Sequence, residues 1–567
     1  MALLLAFFVL LHAPSLFWGF FADDFTHRLV LEHPREHPTL RPWSLYDFGD
    51  SASAQAITFD DAVFPWWTGS DWKARFFRPL TSLSLWLDHE VWGRRAAGQH
   101  LTSLVLQGVF LTLVLWLYRC AGLAPGIALL AMALVALEDG SVFVVGWIAN
   151  RNSLLEGIFT VAALGMALRA RDSGRPGPMV LALTLAGLAA LSKESGIAAS
   201  AACALLWWRG PGPLLRTGSV AAALLALAYV VSLLFAGFGV TSLFYPTPWG
   251  EPSLWLEHLF VMLIAGPVSL LTPFPVDMLV AVPAAFWPGV ILATLVLLVV
   301  AGPLARAAGA MAQGAFFAGF ALLALLPEIC APPSDRLLFV PAIGLAPLTA
   351  SWLAGALGSG VQRKKRAQRL AWLVALSALP LSGFCLFLRG VSFVRSSRLA
   401  REVVASAELD PRPTERRDVL VLQAPSGIAL LGPLAAWRFD TGDRLTRFHA
   451  LQLGQRAVRW TRVDPRTFEL ESLDEPFLSN LFERVFLTSS RPARAGERRR
   501  TSAFEVELRE CEPGGVRRFR LRCDEPLEAE RFVFLTWRDG RLRRIAPPAS
   551  GQSVELGRCE RLDPLLP

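Results

Sequence analysis

The chain has 567 residues, 53% of them hydrophobic and 18% charged, with a net charge of +8 and a mean hydropathy of +0.43. That is too apolar for an ordinary soluble protein, and apolar runs long enough to span a bilayer recur. The excess charge is nearly all arginine, since lysine occurs only at Lys73, Lys193, Lys364 and Lys365. Basic residues are scattered or sit at helix ends rather than in one stripe, which speaks against nucleic-acid binding.

In chain order, apolar runs predict membrane helices over about 2–20, 101–119, 124–138, 153–169, 178–192, 195–208, 216–238, 286–303, 313–328, 337–357 and 370–389. The first run has no basic leader and no small-x-small cleavage site, so it reads as a retained helix rather than a removed signal. It ends at Phe20-Phe-Ala-Asp-Asp-Phe25, and a long polar loop then runs to His100. The stretch 256–285 is apolar but interrupted by Pro267, Pro273, Pro275, Pro283 and Asp277; it is read as re-entrant.

The charge pattern assigns sides. Arg363, Lys364, Lys365, Arg366 and Arg369 form the densest basic cluster between two helices, and Arg169–Arg175, Arg209–Arg216 and Arg306 add further basic loops. The positive-inside rule places these in the cytoplasm. Counting crossings back puts the N-terminus inside and the 21–100 loop outside. Asp23, Asp24, Glu138, Asp139, Arg151, Lys193, Glu194, Asp335 and Arg336 then share the outer side. Trp18, Trp66, Trp67 and Trp72 are expected in an interfacial aromatic belt.

From about Ser397 the composition changes. Asp418–Gln423, Phe504–Leu508, Arg518–Arg522 and Arg531–Thr536 alternate apolar and polar residues between turn signals such as Pro513-Gly514-Gly515 and Asp539-Gly540. Two domains are therefore expected: a membrane domain over 1–395, with 21–100 as its first outer loop, and a β-rich extracytoplasmic domain over 396–567, read as a sandwich. Cys120, Cys203, Cys330 and Cys385 lie in or beside apolar helices, and no CxxC pair exists. In an oxidising compartment, Cys511 and Cys523 are expected to close a hairpin as a disulfide.

Several charged groups are suited to chemistry. A carboxylate at Asp23 or Asp24, where a helix leaves the membrane, can act as a general base toward an acceptor hydroxyl; from position alone, a helix end facing water reads the same way. Glu138 and Asp139 can orient an acceptor or, with the Asp pair, hold a hard divalent cation; a polar helix end turning at Gly140 is the plain alternative. Arg78, Arg151, Lys193 and Arg336 suit a phosphate. Lys193-Glu194 interrupts two apolar helices, where an ion pair needs a polar cavity or access to the interface. His27, His33, His37, His89 and His100 lack metal-ligand spacing; His100, close to Arg78 at the loop's end, suits a phosphate or an acceptor. There is no GxSxG, Walker loop or HExxH.

These pieces occur in a particular order: Asp23-Asp24, a long loop, Phe77-Arg-Pro-Leu-Thr-Ser-Leu-Ser-Leu-Trp-Leu-Asp88, His100-Leu-Thr-Ser103, Gly146-Trp-Ile-Ala-Asn-Arg-Asn-Ser-Leu-Leu-Glu156, Leu191-Ser-Lys-Glu-Ser195 and Ser334-Asp-Arg-Leu-Leu-Phe-Val-Pro-Ala-Ile-Gly344. Over residues 1–390 this resembles the polytopic GT-C glycosyltransferases, and within them the bacterial relatives of transmembrane O-mannosyltransferases that carry tetratricopeptide repeats. The repeats are absent here, and Glu138-Asp-Gly-Ser-Val-Phe-Val-Val stands in place of a His-Pro-x-His segment. The resemblance implies a polytopic α-helical membrane protein of 11–13 helices in a bacterial plasma membrane, with the C-terminal domain in the periplasm. It implies an inverting transfer of a sugar, mannose among the candidates, from a polyprenyl-phosphate donor to a protein, lipid or glycan. Asp24 or Asp23 would be the base, and Lys193, Arg336, Arg78 and Arg151 the phosphate ligands. Glu138, Asp139 and His100 would serve the acceptor, with Asp23 and Glu138 disposed toward Mg or Mn. A lipid-linked-saccharide flippase and a non-catalytic assembly protein are the competing classes.

Overall fold

The computed structural model describes residues 2–34, 41–51, 64–208, 210, 212–358, 365–425, 431–489 and 493–560. His37, Arg209, Arg363 and Lys364 lie outside the described residues. Among the described residues, six helices are long and apolar enough to cross a membrane, and four shorter apolar helices accompany them. The chain is a polytopic α-helical membrane protein with a β-rich C-terminal region.

The first apolar run is not one helix. Helix α1 (Ala2–Leu10) gives way to a 3-10 turn at Ala13–Phe17 that carries Pro14 near its start, and α2 (Asp23–Glu32) then begins on the acidic pair. Strands β1 (Asp47–Asp50) and β2 (Lys73–Arg75) follow in the first loop. Next come α3 (Pro79–Trp92), α4 (Ala96–Cys120), α5 (Pro125–Ala136), α6 (Ser141–Gly146), α7 (Arg151–Ser173), α8 (Pro176–Ser192), α9 (Ile197–Trp208) and α10 (Pro213–Phe235). Strand β3 (Gly239–Thr241) precedes α11 (Pro252–Ser269), α12 (Val276–Ala281), α13 (Phe286–Ala310), α14 (Gly314–Glu328) and α15 (Ala342–Leu357). Helices α16 (Lys365–Leu376) and α17 (Ser382–Ala405) are joined by a π-helical turn around Pro380. Proline opens α3, α5, α8, α10 and α11, where its missing N–H would have had no helical partner anyway. Helix α7 stops at Gly174, whose φ of 61° fits the left-handed cap. The span that includes α7 is the most enclosed of the six, so α7 is the axis around which the bundle packs.

Helix α11 is long enough to cross, yet both its ends lie on the face that carries the first loop. Its N-terminus follows β3, which pairs with β2, and its last residue, Ser269, donates a hydrogen bond to Asp335. Hydropathy registers the length and cannot register the return.

The C-terminal region holds β4 (Arg417–Val421), α18 (Leu431–Thr441), β5 (Thr446–Ala450), β6 (Val458–Asp464), β7 (Thr467–Ser472), α19 (Leu481–Arg484), β8 (Arg498–Arg500), β9 (Phe504–Glu512), β10 (Gly515–Cys523), β11 (Phe532–Arg538), β12 (Arg541–Arg544) and β13 (Ser553–Leu556). They form a six-stranded antiparallel sheet, β13-β6-β7-β10-β9-β8, and a four-stranded sheet, β12-β11-β4-β5. The second sheet is not purely antiparallel, unlike the first. Its central β4 runs parallel to both β5 and β11, with α18 as the crossover, so β4 is buried along its whole length. Helix α17 continues through residue 395 to Ala405, so the composition change falls inside a helix.

Two expectations are corrected. Cys511 sits opposite Val516 beside the hairpin turn, whereas Cys523 sits opposite Phe504 at the far end of the ladder; both are free thiols. The short turn fixes this register and keeps the sulfurs apart. The tryptophans do not form a belt either. Trp18, Trp66, Trp67 and Trp72 are all buried. Trp66, Trp67 and Trp72 enter one core with the C-terminal strands, and their indole N–H groups donate to the carbonyls of Leu451, Glu483 and Val485 at 3.0, 3.3 and 2.8 Å. Trp18 donates to Gly390 O on α17.

Candidate functional site

The first loop turns sharply into α2. Ala22 has φ 46° and ψ −117°, a conformation that only glycine adopts freely. The turn is held by Asp24, whose carboxylate accepts from Phe21 N at 2.9 Å and from Ala149 N at 2.7 Å. Asp24 is 2% exposed. Burial lifts its pKa to about 7, although the two N–H groups pull the other way. Asp24 thus staples the loop to the start of α7. Replacing Ala22 by glycine is expected to relieve the backbone strain and raise stability by about 1 kcal/mol, read as a higher unfolding temperature in detergent; a lower one would mean that the methyl group is itself needed.

The turn points Asp23 the other way. Its charged neighbours are Arg336 and Arg78, which pull its pKa down against a larger upward push from burial. Arg336 comes from the 3-10 turn Asp335–Leu338 and lies over the Trp147 ring, 5.4 Å from the centroid. Tyr245, just after β3, faces the same charges: burial raises its phenol pKa, Arg336 and Arg78 lower it, and Asp23 and Glu194 raise it. Arg78 lies over the rings of Phe76 and Tyr46 at 4.6 and 5.0 Å. Segments from the first loop, the α10–α11 connection and the α14–α15 connection therefore meet around Asp23. Position 245 carried no sequence signal, because its place depends on β3 pairing with β2.

The four proposed phosphate ligands differ in what they already hold. Arg78 donates through Nε to Glu194 at 2.9 Å, and Phe77 N donates to the same carboxylate. Lys193 is paired with Glu328 and lies 3.7 Å from Glu156. Arg151 is fully enclosed on α7; it bonds Asp88 at 2.6 Å and Gln99 O at 2.8 Å. Arg336 stacks on an indole and stands beside Asp23. Arg78 is linked to the Lys193-Glu194 break through Glu194, while Arg151 is bonded to Asp88 and Gln99 instead. His100 is buried, with Nε2 3.4 Å from Gly19 O.

Glu138 and Asp139 belong to a separate cluster with Asp277, Asp335 and Arg389. Arg389 pairs with Asp139 and Asp277, and with Asp335 at 3.1 Å. Gly140 lets this loop lie flat on the 335–336 backbone: a Cβ there would come 2.2 Å from Asp335 O. Asp23 and Glu138 have different charged neighbours. Among the described residues, no group of three or more His, Cys, Asp or Glu is disposed to hold a metal ion. The residues do not fit the divalent cation considered for Asp23 and Glu138, since the two carboxylates have different charged neighbours and are not among one group of possible ligands.

No family model matches the chain, and no curated protein matches it. Among solved structures, it is similar to ArnT from Cupriavidus metallidurans in the apo state, at 13% identity and a TM-score of 0.41 over 80% of this chain and 85% of that one. The same protein bound to undecaprenyl phosphate gives 12% and 0.39 over 79% and 89%. The apo oligosaccharyltransferase of Archaeoglobus fulgidus gives 13% and 0.39 over 78% of this chain. The matched region spans 64% of that oligosaccharyltransferase, and 62% of the form tethered to an acceptor peptide.

Proposed function

We propose that the protein is a GT-C-type membrane glycosyltransferase that moves a sugar, mannose among the candidates, from a polyprenyl phosphate to an acceptor hydroxyl on the outer face of a bacterial plasma membrane. The feature that supports this reading is that Asp23, Arg336, Arg78 and Tyr245, from distant parts of the chain, are electrostatic neighbours of one another. The acceptor hydroxyl gives its proton to Asp23 as its oxygen bonds to the anomeric carbon. The bond from that carbon to the phosphate oxygen breaks, and the electron pair leaves with the polyprenyl phosphate. Attack opposite the leaving group inverts the anomeric centre. Charge grows on the phosphate in the transition state, where Arg336 and Arg78 are placed to stabilise it. Lys193 would first have to be released from Glu328 and Glu156 to lend a further positive charge. The anionic group would have to compete with Glu194 for Arg78, whereas Arg336 needs only to lean from its indole. No step is routed through a metal ion.

The test uses the full chain in proteoliposomes, supplied with radiolabelled polyprenyl-phosphate mannose and a membrane extract as acceptor. Time-dependent transfer of label to protein, lipid or glycan supports the reading. Movement of intact donor across the bilayer with no transfer would replace it with the flippase class.

A further inference from the structure

Helices α16 and α17 form one helical stretch of 41 residues, Lys365–Ala405, with charge at both ends. Lys365, Arg366 and Arg369 are exposed at its start. Its middle is apolar on the outside, where Trp372, Leu376, Phe384, Leu388 and Val391 are all exposed. A contiguous apolar face of this kind meets lipid. Beyond Val391 the exposed positions are Ser392, Arg395 and Arg398. At 3.6 residues per turn, Phe384, Leu388, Val391, Arg395 and Arg398 fall within an arc of about 80°. The two arginines therefore continue the lipid-facing stripe.

The rise of the helix sets their depth. Trp372 to Val391 spans about 28 Å and Arg369 to Arg395 about 39 Å, against about 30 Å for the hydrocarbon of a bilayer and about 40–45 Å with its headgroups. The apolar middle thus matches the hydrocarbon, and the basic residues at each end stand level with the headgroups. Among the described residues, neither Arg395 nor Arg398 makes an ion pair. The neighbouring arginines differ: Arg389 is held by Asp139, Asp277 and Asp335, and Arg401 by Asp440 at 2.6 Å. Glu402 is exposed one turn beyond Arg398 and does not pair with it.

The other side of these turns joins the molecule together. Trp18 donates to Gly390 O, Gly19 N donates to Ser397 Oγ at 3.4 Å, and Leu542 N on β12 donates to Ser406 Oγ at 3.0 Å. The anions available at headgroup depth are phospholipid phosphates, and a guanidinium offers their oxygens a planar fork.

We propose that Arg395 and Arg398 form a docking surface for the headgroups of anionic phospholipid, seating the stem of the C-terminal region on the bilayer. This goes beyond the transferase reading and stands or falls without it. Phosphatidylcholine is the contrast, since its own ammonium offsets its phosphate.

The test places the full chain in nanodiscs that contain a photoactivatable phosphatidylglycerol or phosphatidylcholine, each with a diazirine near the glycerol end of one acyl chain. Labelling between Phe384 and Glu402 is then read by peptide mass spectrometry. Each basic residue near an anionic surface favours binding about fivefold, so the wild type is expected to prefer phosphatidylglycerol at this segment by about tenfold or more. Arg395→Gln/Arg398→Gln is expected to bring that ratio near one, and Arg395→Lys/Arg398→Lys to keep most of it. High salt should lower the wild-type ratio. Neither arginine holds another charged group, so the glutamine double variant is expected to keep the wild-type unfolding temperature in detergent. Equal labelling by the two probes in the wild type would overturn the proposal. So would a preference that the glutamine double variant retains. Should that variant not be recovered, Arg395→Gln and Arg398→Gln singly, each expected to lose about fivefold, decide by the same criteria.

Discussion

Asp23→Asn is expected to cut sugar transfer by about 10²–10⁴-fold, the usual contribution of a positioned general base, with unchanged recovery from the membrane. Asparagine keeps the shape of the side chain and loses the ability to take a proton. The carboxylate of Asp23 faces Arg336 and Arg78 rather than backbone N–H groups, so its removal unties no loop. The pH dependence has a definite sign. A base must be ionised to act, and burial holds Asp23 above the ordinary carboxylate range despite the two arginines. Activity should therefore fall as the pH drops, with a midpoint above that of a free aspartate, and this acid limb should vanish in the residual activity of Asp23→Asn. Asp24→Asn serves as the contrast. Both oxygens of Asp24 accept backbone hydrogen bonds, and an amide can replace only one of them. That variant should lose stability first and activity as a consequence. Wild-type turnover in Asp23→Asn would remove the proposed base.

Trp67→Ala is expected to destabilise the protein by about 3–5 kcal/mol, the range for deleting a fully buried large aromatic. Trp67 is completely enclosed, and its indole donates to the carbonyl of Glu483. Glu483 in turn is 0% exposed and pairs with Arg456 at 2.7 Å, and it accepts from Leu453 N and Asn480 N. The first loop and the C-terminal strands thus share one core, and neither completes it alone. Truncating the chain after Ala405 should leave Trp66, Trp67 and Trp72 exposed together and give an aggregated membrane domain. A monodisperse truncated protein with the wild-type unfolding temperature would show that the two parts fold independently. The same contact reaches the segment that carries Tyr245: Ser242 and Leu243 donate to the carbonyls of Arg484 and Leu487 at 3.2 and 2.8 Å, and Tyr245 follows two residues later. Trp67→Ala should therefore also lower transfer in whatever fraction remains folded.

The alternation of apolar and polar residues located the strands at 504–508, 518–522 and 531–536, and long apolar runs located the helices, because both signals are local. The first helix is shorter than its apolar run, since Pro14 and the tight turn at Ala22 interrupt it. The indoles at 66, 67 and 72 read as an interfacial belt because tryptophan at a membrane boundary and tryptophan in a core have the same local pattern. Only the partner surface distinguishes them, and that surface is some 380–420 residues away in sequence.

Residue order alone was enough to determine that the chain is a membrane protein and that its composition changes near residue 397. Those properties are sums over neighbouring side chains. Which charges are spoken for was decided by tertiary structure alone. Asp23 and Asp24 are adjacent, yet about 100° of helical rotation and one strained residue direct one carboxylate to the arginines and the other to the backbone. Arg389 and Asp277, 112 positions apart, carry no mark that they belong together. A charge's role depends on its nearest counter-charge, and in a folded bundle that neighbour is set by packing rather than by sequence distance.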